Sequence, residues 1–246
     1  MTPPPHLFAQ PPGGGRGRPP PRAAPPPPHG CAVAINYASR AAEADALAGE
    51  IRAAGGRAIV VRADVSQAAE VRAMFDQVES ELGRIDVLVN SAGILKMVPL
   101  AETSDELYEQ TFGINTRGTF NTLREAATRL ADGGSIVNVS STTIALNLPN
   151  YSVYIASKAA VESLTQVFAK ELRGRRITVN AVAPGPVATE LFLNGKSPEL
   201  IEHYAKMPPL ERLGQPEDIS NVVSFLASPQ AGWVNGQILR ANGGVA

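Results

Sequence analysis

The chain is short of the residues from which several common active sites are built. It has one cysteine, Cys31, so neither an intrachain disulfide nor a cysteine-ligated metal site can form, and a reducing, cytoplasmic setting is expected. Of its three histidines, His6 and His29 fall in an unusual N-terminal stretch, which leaves His203 alone in the body. That argues against a Ser-His-Asp hydrolase and against a histidine-built metal centre. No apolar run approaches the ~20 residues of a membrane-spanning helix. The net charge is −1, so no basic field points to nucleic acid or a membrane surface. What remains is 246 residues, enough for one large α/β domain with a sizeable core.

The first thirty residues differ from the rest. MTPPPHLFAQPPGGGRGRPPPRAAPPPPHG carries twelve of the 21 prolines, no acidic residue and few large apolar ones. Such a stretch buries too little surface to offset its ordering entropy. Proline also removes backbone donors, so no central strand is expected in 1–30, and disorder with polyproline-II character is the default. It lacks the apolar centre of a secretory signal, and the absence of serine gives a transit peptide, the open alternative, little support. The division expected is 1–30 as a Pro/Gly/Arg-rich segment and 31–246 as the folded domain.

From Cys31 onward, short apolar runs alternate with helical patterns. CAVAIN (31–36), AIVV (58–61), VLV (87–89), SIVNV (135–139), ITVNAV (177–182) and GQILRA (236–241) read as strands. Between them, Ala44, Leu47, Ala48 and Ile51 mark a helix that stops at Gly55-Gly56. Ser66 is placed to cap a helix with Val71, Phe75, Val78 and Leu82 on one face. Thr103 and Glu106 have capping-box spacing and open a long helix toward Leu130. Ile219 to Leu226 belong to a further helix. Strand–helix alternation with β-rich apolar runs predicts a doubly wound parallel sheet of Rossmann type.

One constellation carries chemistry. In YSVYIASKAAVESL, Tyr154 and Lys158 are four residues apart and share a helical face, and Ser141 lies thirteen residues before the tyrosine. A phenol titrates near ~10, and an adjacent cation favours the phenolate. With a serine hydroxyl to hold a carbonyl oxygen, the trio suggests a proton donor for carbonyl reduction. The bland alternative is a Lys158–Glu162 pair on a solvated helix face. Ligands in doubly wound sheets bind at the carboxyl ends of the strands. Small or polar clusters stand there: Asn36–Arg40, Asp64-Val65, Asn90–Gly93, Ser140-Ser141 and Pro184–Thr189. Each alone reads as an ordinary turn; five on one rim are harder to dismiss.

The motifs VNSAGI, NTRG, NVSS, YSVYIASKAAVESL, ITVNAVAPGPVATE, RLGQPEDI and VNGQILRANGG occur in order. Over about residues 30–246 the chain thereby resembles the short-chain dehydrogenase/reductases, with greatest similarity to 3-oxoacyl-thioester reductases and NADPH-dependent aldehyde reductase-like members. The resemblance implies a ketone or aldehyde substrate reduced to an alcohol. It implies Tyr154 as general acid, with Lys158 lowering its pKa and bonding the nicotinamide ribose. Ser141 would position the carbonyl, in preference to Ser140. Asn115 would hold a water that relays protons through Lys158. Asp64, with Val65, would bind adenine, and the Asn90, Ala92 and Gly93 backbone would pass its ribose. Pro184, Gly185, Val187 and Thr189 would hold the carboxamide and phosphates. Ile144, Leu148, Tyr151, Leu191 and Phe192 would line an apolar pocket. A homodimer or homotetramer is implied through the helix at 104–130 and the Tyr154 helix.

The end of the second strand carries the cofactor choice. A carboxylate there serves NAD; INYASR has none, and Ser39 with Arg40 would hold a 2′-phosphate, which favours NADPH over NADH. Otherwise Arg40 is a solvated first-turn residue. The chain departs from the family at its start. Neither the first strand nor the T-G-x-x-x-G-x-G loop is recognisable, and GGGRGR (13–18) follows no expected strand. The segment is a genuine Pro-rich arm or a frame-shifted reading of the same length. A non-catalytic protein unable to hold cofactor is therefore the competing reading, and RPPPR (18–22) as a ligand for a polyproline-binding domain a third.

Overall fold

The computed structural model of the protein describes residues 6–9 and 31–246, the side chains of 6–9 and of Leu191 excepted. Among these, seven parallel strands form one sheet in the order β3-β2-β1-β4-β5-β6-β7. The strands are β1 (His6–Ala9), β2 (Ala32–Tyr37), β3 (Arg57–Arg62), β4 (Ile85–Asn90), β5 (Leu130–Val139), β6 (Thr178–Pro184) and β7 (Ile238–Ala241). Five of the helices are α1 (Ala41–Ala53), α2 (Ala68–Leu82), α3 (Asp105–Phe112), α4 (Gly118–Arg129) and α5 (Thr143–Leu146). The others are α6 (Ser152–Glu171), α7 (Glu190–Leu193), α8 (Pro198–Lys206) and α9 (Pro216–Leu226).

Strand periodicity divides the core. Successive side chains point to opposite faces. Leu88, Ile136 and Val179 pack with Phe75, Val78, Leu123 and Leu164 on the face of α2, α4 and α6. Their neighbours Val87, Val89, Val137 and Val182 pack with Leu226, Val222 and Val223 of α9 on the other face. Val33 and Ile35 pack with Ala44 and Ala48 of α1. Both faces are covered, which is why these strands are apolar runs and not alternating ones. No helix among the described residues is long and apolar enough to cross a membrane.

Several expectations shift. A strand does lie within residues 1–30: the His6–Ala9 backbone pairs with Ala32–Ile35 on one side and, through Leu7 and Phe8, with Val87 and Leu88 on the other. HLFA is the one proline- and glycine-free run there that contains adjacent large apolar residues, so it is the stretch able to complete a ladder. GGGRGR therefore follows a strand in the chain, although it, like the rest of 1–30, lies outside the described residues. Ser66 does not cap α2: the helix starts at Ala68, and the Ser66 N–H instead donates to Asp64 Oδ1 at 2.9 Å. Ser104, not Thr103, caps α3 by accepting from the Leu107 N–H, while the Thr103 hydroxyl donates back to Pro99 O.

The expected long helix is interrupted. Between α3 and α4 runs a π-helical turn, Gly113–Arg117. Such turns insert a residue and re-aim side chains, and they concentrate at functional sites. Gly118 lets this turn pass Val65 closely: a Cβ there would meet Val65 Cγ2 at 2.6 Å, whereas a Cβ on Gly113 would meet nothing nearer than 3.9 Å. Both glycines have ordinary right-handed helical angles. Gly118→Ala should therefore destabilise the chain by ~1–3 kcal/mol through overpacking alone. Gly113→Ala should be neutral or stabilising by up to ~1 kcal/mol. Urea midpoints check both; equal shifts would show that the Val65 contact is not what requires glycine.

Candidate active site

All strands run the same way, so their carboxyl ends form one rim. The rim brings together Tyr37–Arg40, Asp64-Val65, Asn90–Gly93, Ser140-Ser141 and Pro184–Thr189. The α6 helix lies across it and carries Tyr154 and Lys158 one turn apart.

Lys158 is 4% exposed, and its Nζ donates to Val139 O at 2.7 Å, at the end of β5. Burial disfavours the ammonium and brings its pKa down to about 8. Burial holds the Tyr154 phenol pKa above its ordinary value, partly offset by the neighbouring Ser141 hydroxyl. Ser141 is itself oriented, accepting from the Thr143 hydroxyl at 2.9 Å and the Thr143 N–H at 3.3 Å. Ser140 points elsewhere and donates to Glu162 Oε1 at 2.7 Å. Glu162 is thus engaged by Ser140 and Lys158 by Val139, so the solvated Lys158–Glu162 pair is not formed.

Asn115 sits in the π-helical turn at 0% exposure. Its Oδ1 accepts from the Ile94 N–H at 2.8 Å, and its Nδ2 donates to Ile94 O at 3.0 Å and Ser157 Oγ at 3.0 Å. The side chain is fully engaged as a clamp between the segment after β4 and the residue before Lys158. Gly93 completes the corner: a Cβ there would stand 3.4 Å from both Asn115 Oδ1 and Lys158 Nζ. The missing side chain keeps the ammonium reachable from the rim.

The other predicted positions divide in two. Asn90 belongs to a buried network: its Nδ2 donates to Asn138 Oδ1 at 2.9 Å, its Oδ1 accepts from Thr122, and Asn138 donates to Thr165. Ala92 packs against the core beside it. Val65 is buried, and the Asp64 carboxylate caps the turn at Ser66. Pro186 to Ala188 are clamped by Gly214, which donates to Pro186 O and accepts from the Ala188 N–H. A Cβ on Gly185 would strike Asn242 at 2.8 Å. Thr189 caps α7 through the Phe192 N–H. Ser39 is exposed, and Arg40 precedes α1, its Nη1 2.6 Å from Glu43 Oε2 and 3.8 Å from Glu190 Oε2.

Of the expected pocket residues, Tyr151 is buried with its ring edge-on to Tyr154 at 6.3 Å, and Phe192 meets Tyr204 edge-on at 5.3 Å. Ile144 and Leu148 are part-exposed, and Ile144 lines a cavity of about 520 Å³ with Ser141, Glu162 and Arg240. The Leu191 side chain lies outside the described residues. Sequence reasoning missed Tyr204 of α8, Met97, which accepts from the Tyr151 hydroxyl at 3.2 Å, and Thr143. Only Thr143, two residues from Ser141, lay close enough to a motif to be found.

This donor set fits a dinucleotide: a buried ammonium beside an open glycine corner, a phenol–serine pair, and hydroxyl and guanidinium groups along the same rim. Comparison with known proteins agrees. The family profile described as enoyl-(acyl carrier protein) reductase matches residues 27–246. An NADPH-dependent aldehyde reductase-like protein, chloroplastic, from Arabidopsis thaliana is 46% identical, over 87% of this chain and 85% of its own. Among solved structures, the angucycline C-6 ketoreductase LanV with bound NADP is 33% identical, with a TM-score of 0.83 over 88% of this chain and 86% of its own. A short-chain dehydrogenase/reductase from Serratia marcescens is 32% identical, with a TM-score of 0.86 over 98% of this chain and 97% of its own. The chain belongs to the short-chain dehydrogenase/reductase family and is an oxidoreductase of that class.

The lowered Lys158 pKa has a measurable consequence. The folded chain releases this proton near pH 8, the unfolded chain near 10.5. Between those values the unfolded state binds more protons, so stability rises with pH; below 8 the burden of the buried cation is fully present. Lys158→Met should flatten that rise, by up to ~3 kcal/mol across the window. Denaturant unfolding of both proteins from pH 7.5 to 10.5 checks it, and parallel curves would refute it.

Proposed function

We propose that the chain reduces a ketone or aldehyde to an alcohol with NADPH, Tyr154 acting as general acid. The observation that carries this is the Ser141 hydroxyl set beside the Tyr154 phenol, with the buried Lys158 ammonium one turn further along α6 and held on Val139 O. A carbonyl oxygen placed between Tyr154 and Ser141 accepts from both hydroxyls. The raised phenol pKa keeps the proton on Tyr154 at neutral pH, where it is available for transfer to the developing alkoxide. Ser141, oriented by Thr143, holds the oxygen in line. Lys158 supplies positive charge next to the phenolate that proton transfer leaves. Bound NADPH supplies the hydride. Lys158 and the Gly93 corner would hold its nicotinamide ribose, Val187 and Thr189 the carboxamide and phosphates, Asp64 and Val65 the adenine, and Ser39 and Arg40 the 2′-phosphate. The aldehyde reductase-like relative and the NADP-bound ketoreductase support both the substrate class and the cofactor.

Tyr154→Phe should lower the rate of carbonyl reduction by ~10²–10⁴-fold, with NADPH affinity within about twofold of the parent. Steady-state kinetics beside a fluorescence titration check this; retained turnover would remove Tyr154 from the mechanism. A parent chain that binds no NADPH would favour the non-catalytic reading instead.

The oligomer belongs to the same reading. A groove of about 600 Å³ runs between α4 and α6, lined by Phe112, Phe120, Leu164 and Val167. Phe120 is 44% and Val167 53% exposed, an apolar stripe that a second copy would cover. Sedimentation of the parent should give a dimer or tetramer, and Phe120→Glu with Val167→Glu should dissociate it by at least tenfold. A parent chain that sediments as a monomer overturns this pairing.

A further inference from the structure

Arg40 is shared by two carboxylates. Its Nη1 lies 2.6 Å from Glu43 Oε2, one helical turn further along α1, and 3.8 Å from Glu190 Oε2. The two contacts differ in kind. Glu43 is at i+3 and moves with Arg40. Glu190 is the first residue of α7, which Thr189 caps at the end of the segment after β6. The second contact therefore ties the end of β2 to the segment after β6.

Among the described residues, the two carboxylates that Arg40 meets carry one more negative charge than its guanidinium neutralises. A 2′-phosphate brings roughly −1.5 to −2 more. It reaches Arg40 only by displacing a carboxylate or by bearing its repulsion. A dinucleotide with a free 2′-hydroxyl brings no such charge, and leaves the Arg40–Glu190 contact in place.

We infer that Glu190 is a specificity-determining residue that competes with the cofactor 2′-phosphate for Arg40 across the cleft, and so restrains the preference for NADPH. This rests on the reading of the chain as a dinucleotide-dependent reductase. Glu190 is part-exposed and its partner lies at 3.8 Å, so the effect belongs to the range of surface ion pairs. Removing its charge should tighten NADPH by about two- to fivefold, with NADH unchanged.

The test is fluorescence titration of the full chain with NADPH and with NADH, for the parent, Glu190→Gln, Glu43→Gln, Arg40→Gln and the Arg40→Gln/Glu190→Gln double variant, at low and high salt. The expected result is tighter NADPH binding by Glu190→Gln, unchanged NADH binding, a smaller gain in the Arg40→Gln background, and a gain that fades with salt. An unchanged NADPH-to-NADH affinity ratio in Glu190→Gln overturns the inference while leaving the proposed function standing. So does a gain confined to Glu43→Gln, which places the competitor on α1. A parent chain that binds neither dinucleotide overturns both.

Discussion

The buried ammonium of Lys158 is the constraint on which the site is built. A cation at 4% exposure is tolerated only where its protons find acceptors and its surroundings hold still. The Val139 carbonyl supplies one acceptor, which fixes α6 against the end of β5. Gly93 borders the same ammonium, and a Cβ there would stand 3.4 Å from it. Asn115 enforces that geometry by gripping both backbone groups of Ile94 and the hydroxyl of Ser157, the residues next to Gly93 and Lys158. The π-helical turn is what aims Asn115 there, and Gly118 is what lets the turn pack on Val65. One charge thus accounts for irregularities in three separate segments.

The polar interior serves the same end by a different route. Asn90, Asn138, Thr165 and Thr122 link β4, β5, α6 and α4 in one hydrogen-bonded chain. Such a network is favourable only if each member is satisfied, and it is satisfied in a single register of strands and helices. It therefore fixes how far α6 projects beyond β5, and with it the level at which Tyr154 stands relative to Ser141. Apolar packing alone would tolerate small slides that this network does not.

The sheet and its helices were legible because burial on both faces leaves strands as apolar runs, and because α2 keeps Val71, Phe75, Val78 and Leu82 on one buried face. The local ends were less so. Thr103 and Ser104 are adjacent and equally able to cap, and only the backbone angles decide between them. The π-helical turn has no composition of its own; the apolar spacing across GINTR reads as unbroken helix. HLFA was hidden because flanking prolines outweigh four residues in any window. Tyr154, Lys158 and Ser141 were legible from spacing. The Tyr204 and Met97 contacts to Tyr151 were not, since they depend on how α8 and the loop after β4 return over α6. Spacing places Lys158 on the same helical face as the phenol but says nothing of desolvation, which lowers the Lys158 pKa and raises that of Tyr154.

The two halves of the rim are held by forces of different strength. The half that carries Tyr154 is buried and cross-linked: Ser141 through Thr143, Asn115 through Ile94 and Ser157, Lys158 through Val139. Disturbing one such group exposes the others to desolvation without a partner, so the half moves as a unit. The half at the end of β2 and the start of α7 is exposed Ser39, part-exposed Arg40 and a four-residue helix that Thr189 caps and Phe192 packs against Tyr204. The Arg40 contacts with Glu43 and Glu190 are surface ion pairs, worth about 1 kcal/mol or less and screened by salt. The rim is therefore rigid where Tyr154 and Lys158 stand, and held by weak, salt-screened contacts where Arg40 meets Glu43 and Glu190.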